Sequence, residues 1–148
     1  MSLFRKWEPP KVAVCFASPA MTRRAVDWLG KLGGCKTIAI LSDDCDDVVW
    51  QCDAEQADLL LLETDFSNGV EDKDVSSRCD IAVEVRRKLP DCRVYLVCED
   101  GHPEKLAALE KAVELKLIDG YCIGGLTARQ AEIWLAETAR AMNERTEP

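Results

Sequence analysis

The chain has little of what several functional classes require. No stretch approaches the roughly 18 to 20 consecutive apolar residues of a membrane-spanning helix. No basic run offsets the balance of 27 Asp and Glu against 19 Lys and Arg, a net charge of −8. Nucleic-acid binding needs clustered Lys and Arg to neutralise phosphates, so the expected partners are proteins, with neither nucleic acid nor membrane bound directly. The eight cysteines, at 15, 35, 45, 52, 79, 92, 98 and 122, contain no C-x-x-C pair, which argues against a metal site and against a disulfide framework. Cys15, Cys98 and Cys122 lie in apolar runs and read as small core residues with reduced thiols. The segment Met1 to Lys11 is too polar for a secretory signal, and a cytoplasmic location is expected.

Cofactor loops are missing as well. No G-x-G-x-x-G or Walker-type sequence occurs, and the cobalamin motif Asp-x-His-x-x-Gly is absent. Flavin mononucleotide needs amides that cradle its phosphate, whereas Ser18-Pro19-Ala20-Met21-Thr22 has no Gly and spends one amide on Pro19. No cofactor and no metal are expected.

What is present is a regular alternation. At 148 residues the chain fits one domain large enough to bury a core without disulfide or metal. Five apolar runs, at Val12–Phe16, Thr37–Leu41, Leu59–Leu62, Arg93–Cys98 and Tyr121–Ile123, are continuous rather than alternating, the pattern of strands covered on both faces. Between and after them lie helical stripes: Met21, Ala25, Trp28, Leu29 and Leu32; Ile81, Val85 and Leu89; Leu106, Leu109, Val113 and Leu117; Ala131, Trp134, Leu135, Ala139 and Met142. The segment from Asp43 to Gln56 is a weaker helix, with only Val48, Val49 and Cys52 to bury. Gly33-Gly34 and Leu89-Pro90-Asp91 read as helix ends and Thr127 as an N-cap. Five βα units predict a flavodoxin-like, doubly wound α/β sandwich with strand order 2-1-3-4-5. The domain is expected over 11–143, with polar tails at 1–10 and 144–148. Its functional crevice would lie at the carboxyl ends of the strands, beside the switch point between the first and third.

These residues resemble the receiver domains of two-component response regulators, the CheY-like family. Ala57-Asp58-Leu59-Leu60-Leu61-Leu62-Glu63, followed by Asn68-Gly69, is similar to the family's third strand and turn. Val83 to Pro90 resembles its third helix, Met21 to Val26 its first, and Asp119-Gly120-Tyr121 the approach to its fifth strand, with Tyr121 at the aromatic switch. The resemblance implies a phosphoryl-accepting Asp at the end of the third strand, where this chain has Glu63. It also implies a carboxylate pair for Mg²⁺ after the first strand, a hydroxyl after the fourth and a lysine after the fifth. Those positions hold Ala17 and Ser18, Cys98, and Gly124. A divalent cation needs oxygen ligands and the transferring phosphoryl group needs cations, so a phosphorylation-independent pseudo-receiver is expected, acting by protein association or dimerisation and not as an enzyme.

Some features read two ways. Glu63 is either a built-in mimic of a phosphorylated Asp or a solvated carboxylate on a degenerate loop. Asp65 with Asp43 and Asp44 could assemble a residual metal and phosphoryl site, although acidic residues also suit a helix start. Cys98 and the single histidine, His102, could form a nucleophilic pair, while His102-Pro103 reads more simply as a helix entry. Tyr121 and Trp134 fall on the output face of the family, and Trp134 also fits the core stripe of its helix; an exposed Trp134 or Trp50 would mark a binding hot spot. The second functional reading is a small-molecule-binding or enzymatic domain with its site at the carboxyl ends of the strands.

Overall fold

Continuous apolar runs assemble into a central sheet, parallel throughout, with strand order β2-β1-β3-β4-β5. The computed structural model describes residues 8–42, 44–64, 75–99 and 103–146. In chain order the elements are β1 (Lys11–Cys15), α1 (Pro19–Leu32), β2 (Lys36–Ala39), α2 (Cys45–Glu55), β3 (Leu59–Thr64), α3 (Val75–Lys88), β4 (Arg93–Cys98), α4 (Pro103–Glu114), β5 (Gly120–Ile123) and α5 (Ala128–Thr146). This is the flavodoxin-like arrangement that the alternation predicts.

Side chains alternate across each strand, so the sheet divides two hydrophobic clusters. On one face Ala13, Leu60, Leu62, Val94 and Leu96 meet Val48 and Cys52 of α2, Ile81 and Val85 of α3 and Leu109 of α4. On the other, Val12, Val14, Leu59, Leu61 and Tyr95 meet Leu29 of α1 and Trp134 and Leu135 of α5. Both faces are covered by helices, which is why Leu59 to Leu62 of β3 and Val94 to Val97 of β4 are all buried. Among the described residues no helix is long and apolar enough to cross a membrane. None of the eight cysteines is in a disulfide.

Local chemistry sets the helix boundaries. The Ser18 side chain accepts from the Met21 amide and Pro19 occupies the first position of α1, where its missing N–H costs nothing. Gly33 ends the helix at φ 83°, a left-handed conformation open to glycine. The Asp44 carboxylate caps α2, and the Thr127 hydroxyl accepts from the Gln130 amide to cap α5.

Most strand ends shift by one or two residues from the expected runs, and two boundaries differ with consequences for packing. Strand β3 continues through Glu63 and Thr64, which pair with Val97 and Cys98, because β4 is long enough to supply a partner for both. Helix α5 runs to Thr146, into the segment expected as a polar tail, and Arg145 pairs there with Asp91 at 3.5 Å. The expected N-terminal tail falls largely outside the described residues.

Candidate functional site

The extra length of β3 decides the chemistry at the strand ends. Glu63 alternates with Leu61 and Leu59, so its side chain leaves the sheet on the α1 and α5 side. Only 2 % of it is exposed, and Oε1 accepts a 2.8 Å hydrogen bond from the Ala17 amide in the loop after β1. The expectation of a solvated carboxylate on a degenerate loop is therefore corrected: Glu63 is a buried member of the sheet that ties β3 to the β1–α1 loop. The remaining groups of that loop are also engaged. The Phe16 amide donates to Thr22 Oγ1 at 2.9 Å, and Ser18 Oγ is occupied as the cap of α1.

The other expected pocket residues are brought near one another through backbone, not through side chains. Both the Gly124 and Gly125 amides donate to the Cys98 carbonyl, at 2.8 and 3.2 Å, and both glycines have positive φ, 83° and 88°. The Cys98 thiol is completely buried among the cluster beneath α2, α3 and α4, on the face of the sheet opposite to Glu63. Thus Glu63 and Cys98 diverge. Cys122, on the face of Glu63, has its thiol pushed up to about 11 by burial and stays protonated at neutral pH.

Asp44 does not join Glu63: its Oδ2 accepts from the Asp47 amide, and Ser42 Oγ bridges from the Asp44 amide to Asp47 Oδ2. Asp43, Asp65, Asn68, Gly69 and His102 lie outside the described residues. Among the described residues no three His, Cys, Asp or Glu side chains gather as a metal-binding set. Tyr121 is half-buried against the α4-side cluster. Trp134, which the resemblance places on the output face, is 4 % exposed and stacks on Tyr95 with ring centroids 4.3 Å apart; it belongs to the core stripe of its helix and offers no surface to a partner. Trp50 on α2 is 72 % exposed.

Three polar residues at this end of the molecule escaped the sequence reading. Arg78 and Lys105, in the first turns of α3 and α4, are 2 % and 7 % exposed. Their signal was positional: Arg78 stands three and four residues before Ile81 and Ala82, and Lys105 four before Leu109, so each continues a buried stripe. Thr64 is the third. It is 1 % exposed, and its Oγ1 has no hydrogen-bond partner among the described residues. Leaving a buried hydroxyl unsatisfied is costly, so Thr64→Val, which keeps the shape, is expected to raise stability by about 1 kcal/mol. A higher urea midpoint with unchanged slope would show it.

A cavity of about 290 Å³ opens beside Glu63, between α1, the end of β4 and the loop before α5. Phe16, Ala25, Trp28 and Val97 form its walls, and Arg24 and Glu99 stand at its exposed rim. The crevice at the β1/β3 switch point is thus open on the α1 side and apolar, with one buried carboxylate.

No family model and no curated protein matches this chain. Solved structures do match. The chain is similar to a CheY-like response regulator receiver domain protein from Methanospirillum hungatei JF-1, with TM-score 0.66 and 9 % identity over 93 % of this chain and 99 % of that one. A response regulator receiver domain protein from Clostridium thermocellum gives 0.64 at 14 % identity, covering 92 % and 96 %. A pilus assembly-related protein from Burkholderia pseudomallei K96243 gives 0.65 at 14 % identity, covering 93 % of each chain. At such identities the likeness is one of fold, and the fold is that of receiver domains.

Proposed function

We propose that this chain is a receiver-like signalling domain that works without phosphorylation, through association with a protein partner or a second copy. The observation that carries the reading is the Glu63–Ala17 bond. In a phosphoryl-accepting receiver, the carboxylate at this strand end must be exposed to an incoming phosphoryl group and share a divalent cation with acidic neighbours. Here it is buried and satisfied by an amide, and the adjoining loop presents Ala17 and the capping Ser18. Association is favoured on the side of β5 and α5, where Ile123 at the end of the edge strand and Ile133 of α5 are 38 % and 42 % exposed. Isolated exposed apolar residues are ordinary, but an edge strand with apolar side chains is a ready pairing surface. A pilus assembly-related protein shares this fold.

The test is a titration with Mg²⁺ and beryllofluoride, a stable phosphoryl mimic, followed by amide NMR shifts around Glu63, Cys98 and Tyr121 and by sedimentation. No saturable shift and an unchanged sedimentation profile are expected, while Ile123→Ser weakens any self-association seen in the wild type. Saturable shifts at those three residues would overturn phosphorylation independence.

A further inference from the structure

We propose that the polar cavity at the amino ends of β4 and β5 binds a small organic phosphate, a monoester whose dianionic head lies between Lys116 and Arg145 and whose organic part rests on the apolar wall beside them. The cavity has a volume of about 500 Å³, within the range of roughly 300 to 1,000 Å³ for small-molecule sites. It is enclosed by the end of α3, the turn after α4 and the last turns of α5, at the opposite end of the sheet from Glu63.

Charge here runs against the balance of the chain. The protein carries −8, yet the lining sets Arg86, Arg93, Lys116 and Arg145 against Asp91 and Asp119. Two of the four cations are committed. Arg86 donates to the Lys116 carbonyl at 2.7 Å and to the Asp119 carboxylate; Arg93 donates to the Tyr95 hydroxyl at 2.9 Å and pairs with Glu137 at 3.5 Å. These bonds hold the shape of the cavity. The other two cations have donors to spare. Among the described residues the Lys116 ammonium has no ion-pair partner, and Arg145 has Asp91 alone, 3.5 Å from Nε. Asp91 is exposed, so that pair is weak, and both terminal nitrogens of the guanidinium are left for a ligand.

The backbone points the same way. Lys116 follows α4 at φ 61°, a left-handed position where glycine or asparagine is the usual occupant, so what lysine adds there is its ammonium group. A guanidinium edge and an ammonium together suit the oxygens of a phosphate, and a monoester carries close to two negative charges at neutral pH, matching the two uncommitted cations. Pro90, Val113, Ile118 and Ala141 supply the apolar wall for its organic part. The site is remote from the Glu63 strand end and from Ile123 and Ile133, and either idea can fail alone.

The experiment titrates the full chain with phenyl phosphate, phenyl sulfate and inorganic phosphate, followed by amide NMR. Saturable shifts at Cys92, Val113, Lys116 and Ile118 are expected for phenyl phosphate in the millimolar range or below. The monoanionic sulfate and the ringless phosphate should each bind at least about tenfold more weakly, the scale of one charge-assisted hydrogen bond or of a small buried apolar group. Lys116→Gly suits the backbone at φ 61° and should weaken phenyl phosphate by about tenfold without lowering the urea midpoint. Arg145→Gln should weaken it to a similar degree, and Arg87→Gln, outside the cavity, should not. If Arg145→Gln fails to fold, the probe set and Lys116→Gly still decide. Absence of saturable shifts, shifts confined to other residues, equal affinity of phenyl phosphate and either other probe, or full binding by Lys116→Gly would each overturn the proposal.

Discussion

Trp134→Ala is expected to lower stability by about 3–5 kcal/mol, the range for deleting a large buried aromatic. Trp134 lies over Tyr95 at 4.3 Å with an interplanar angle of 19° and belongs to the cluster that joins α5 to β1, β3 and β4. Truncation removes that apolar area and leaves a cavity that a close-packed sheet cannot collapse to fill. With a whole-domain stability of about 5–15 kcal/mol, a loss of this size approaches unfolding. Thermal denaturation should show a midpoint lower by roughly 10 °C, at about 2–4 °C per kcal/mol for a chain of this size. Trp134→Phe retains a stacked ring and should recover much of the loss. A shift of only a degree or two for Trp134→Ala would mean that the ring is not part of the packed core.

Asp119→Ala should rank next, at about 2–4 kcal/mol, because one carboxylate serves two donors at the entry to the sheet. Asp119 Oδ2 accepts from the Val94 amide at 2.7 Å and from the Arg86 guanidinium. The Asp119 amide donates back to the Val94 carbonyl at 2.8 Å. Removing the carboxylate leaves the Val94 amide without its acceptor at the start of β4 and the partly buried Arg86 without its counter-charge. Asp119→Asn can still accept from Val94 and should cost clearly less. Arg86→Met should also cost less, since Asp119 keeps the Val94 bond. Urea unfolding decides: a lowered midpoint with unchanged slope for Asp119→Ala, and the order Ala worse than Asn, are the expected outcomes. Equal effects of Ala and Asn would mean that the lost charge alone matters.

The strands were legible because their environment is uniform. Leu59 to Leu62 and Val94 to Val97 are buried on both faces, and a residue in such a place must be apolar whichever way it points. The weak helix α2 was legible from three residues, of which Val48 and Cys52 are buried, since its acidic start also signals a cap. Glu63 was not legible in the same way. A carboxylate after four leucines reads as the end of a strand, and its burial follows from partners distant in the chain, Val97 beside it and the Ala17 amide 46 residues earlier. Arg78 and Lys105 were hidden for a related reason: long basic side chains near helix starts ordinarily reach solvent, and only the packing of α3 and α4 decides that these two do not.

By itself the sequence determined the class of protein and its layout: acidic, with five apolar runs spaced by helical stripes, punctuated by Gly33, Pro90 and Thr127. These are local properties, fixed by side-chain periodicity and by the backbone preferences of single residues. It also determined that the positions resembling the receiver site hold Ala17, Ser18, Glu63, Cys98 and Gly124. Only the tertiary structure decided which of these meet. It turned Glu63 and Cys98 to opposite faces of the sheet, hid Trp134 against Tyr95 while leaving Trp50 in solvent, and opened a cavity against Glu63. The physical reason is that burial and hydrogen-bond partnership belong to pairs of residues far apart in sequence, and each one-residue step along a strand moves the side chain to the opposite face of the sheet.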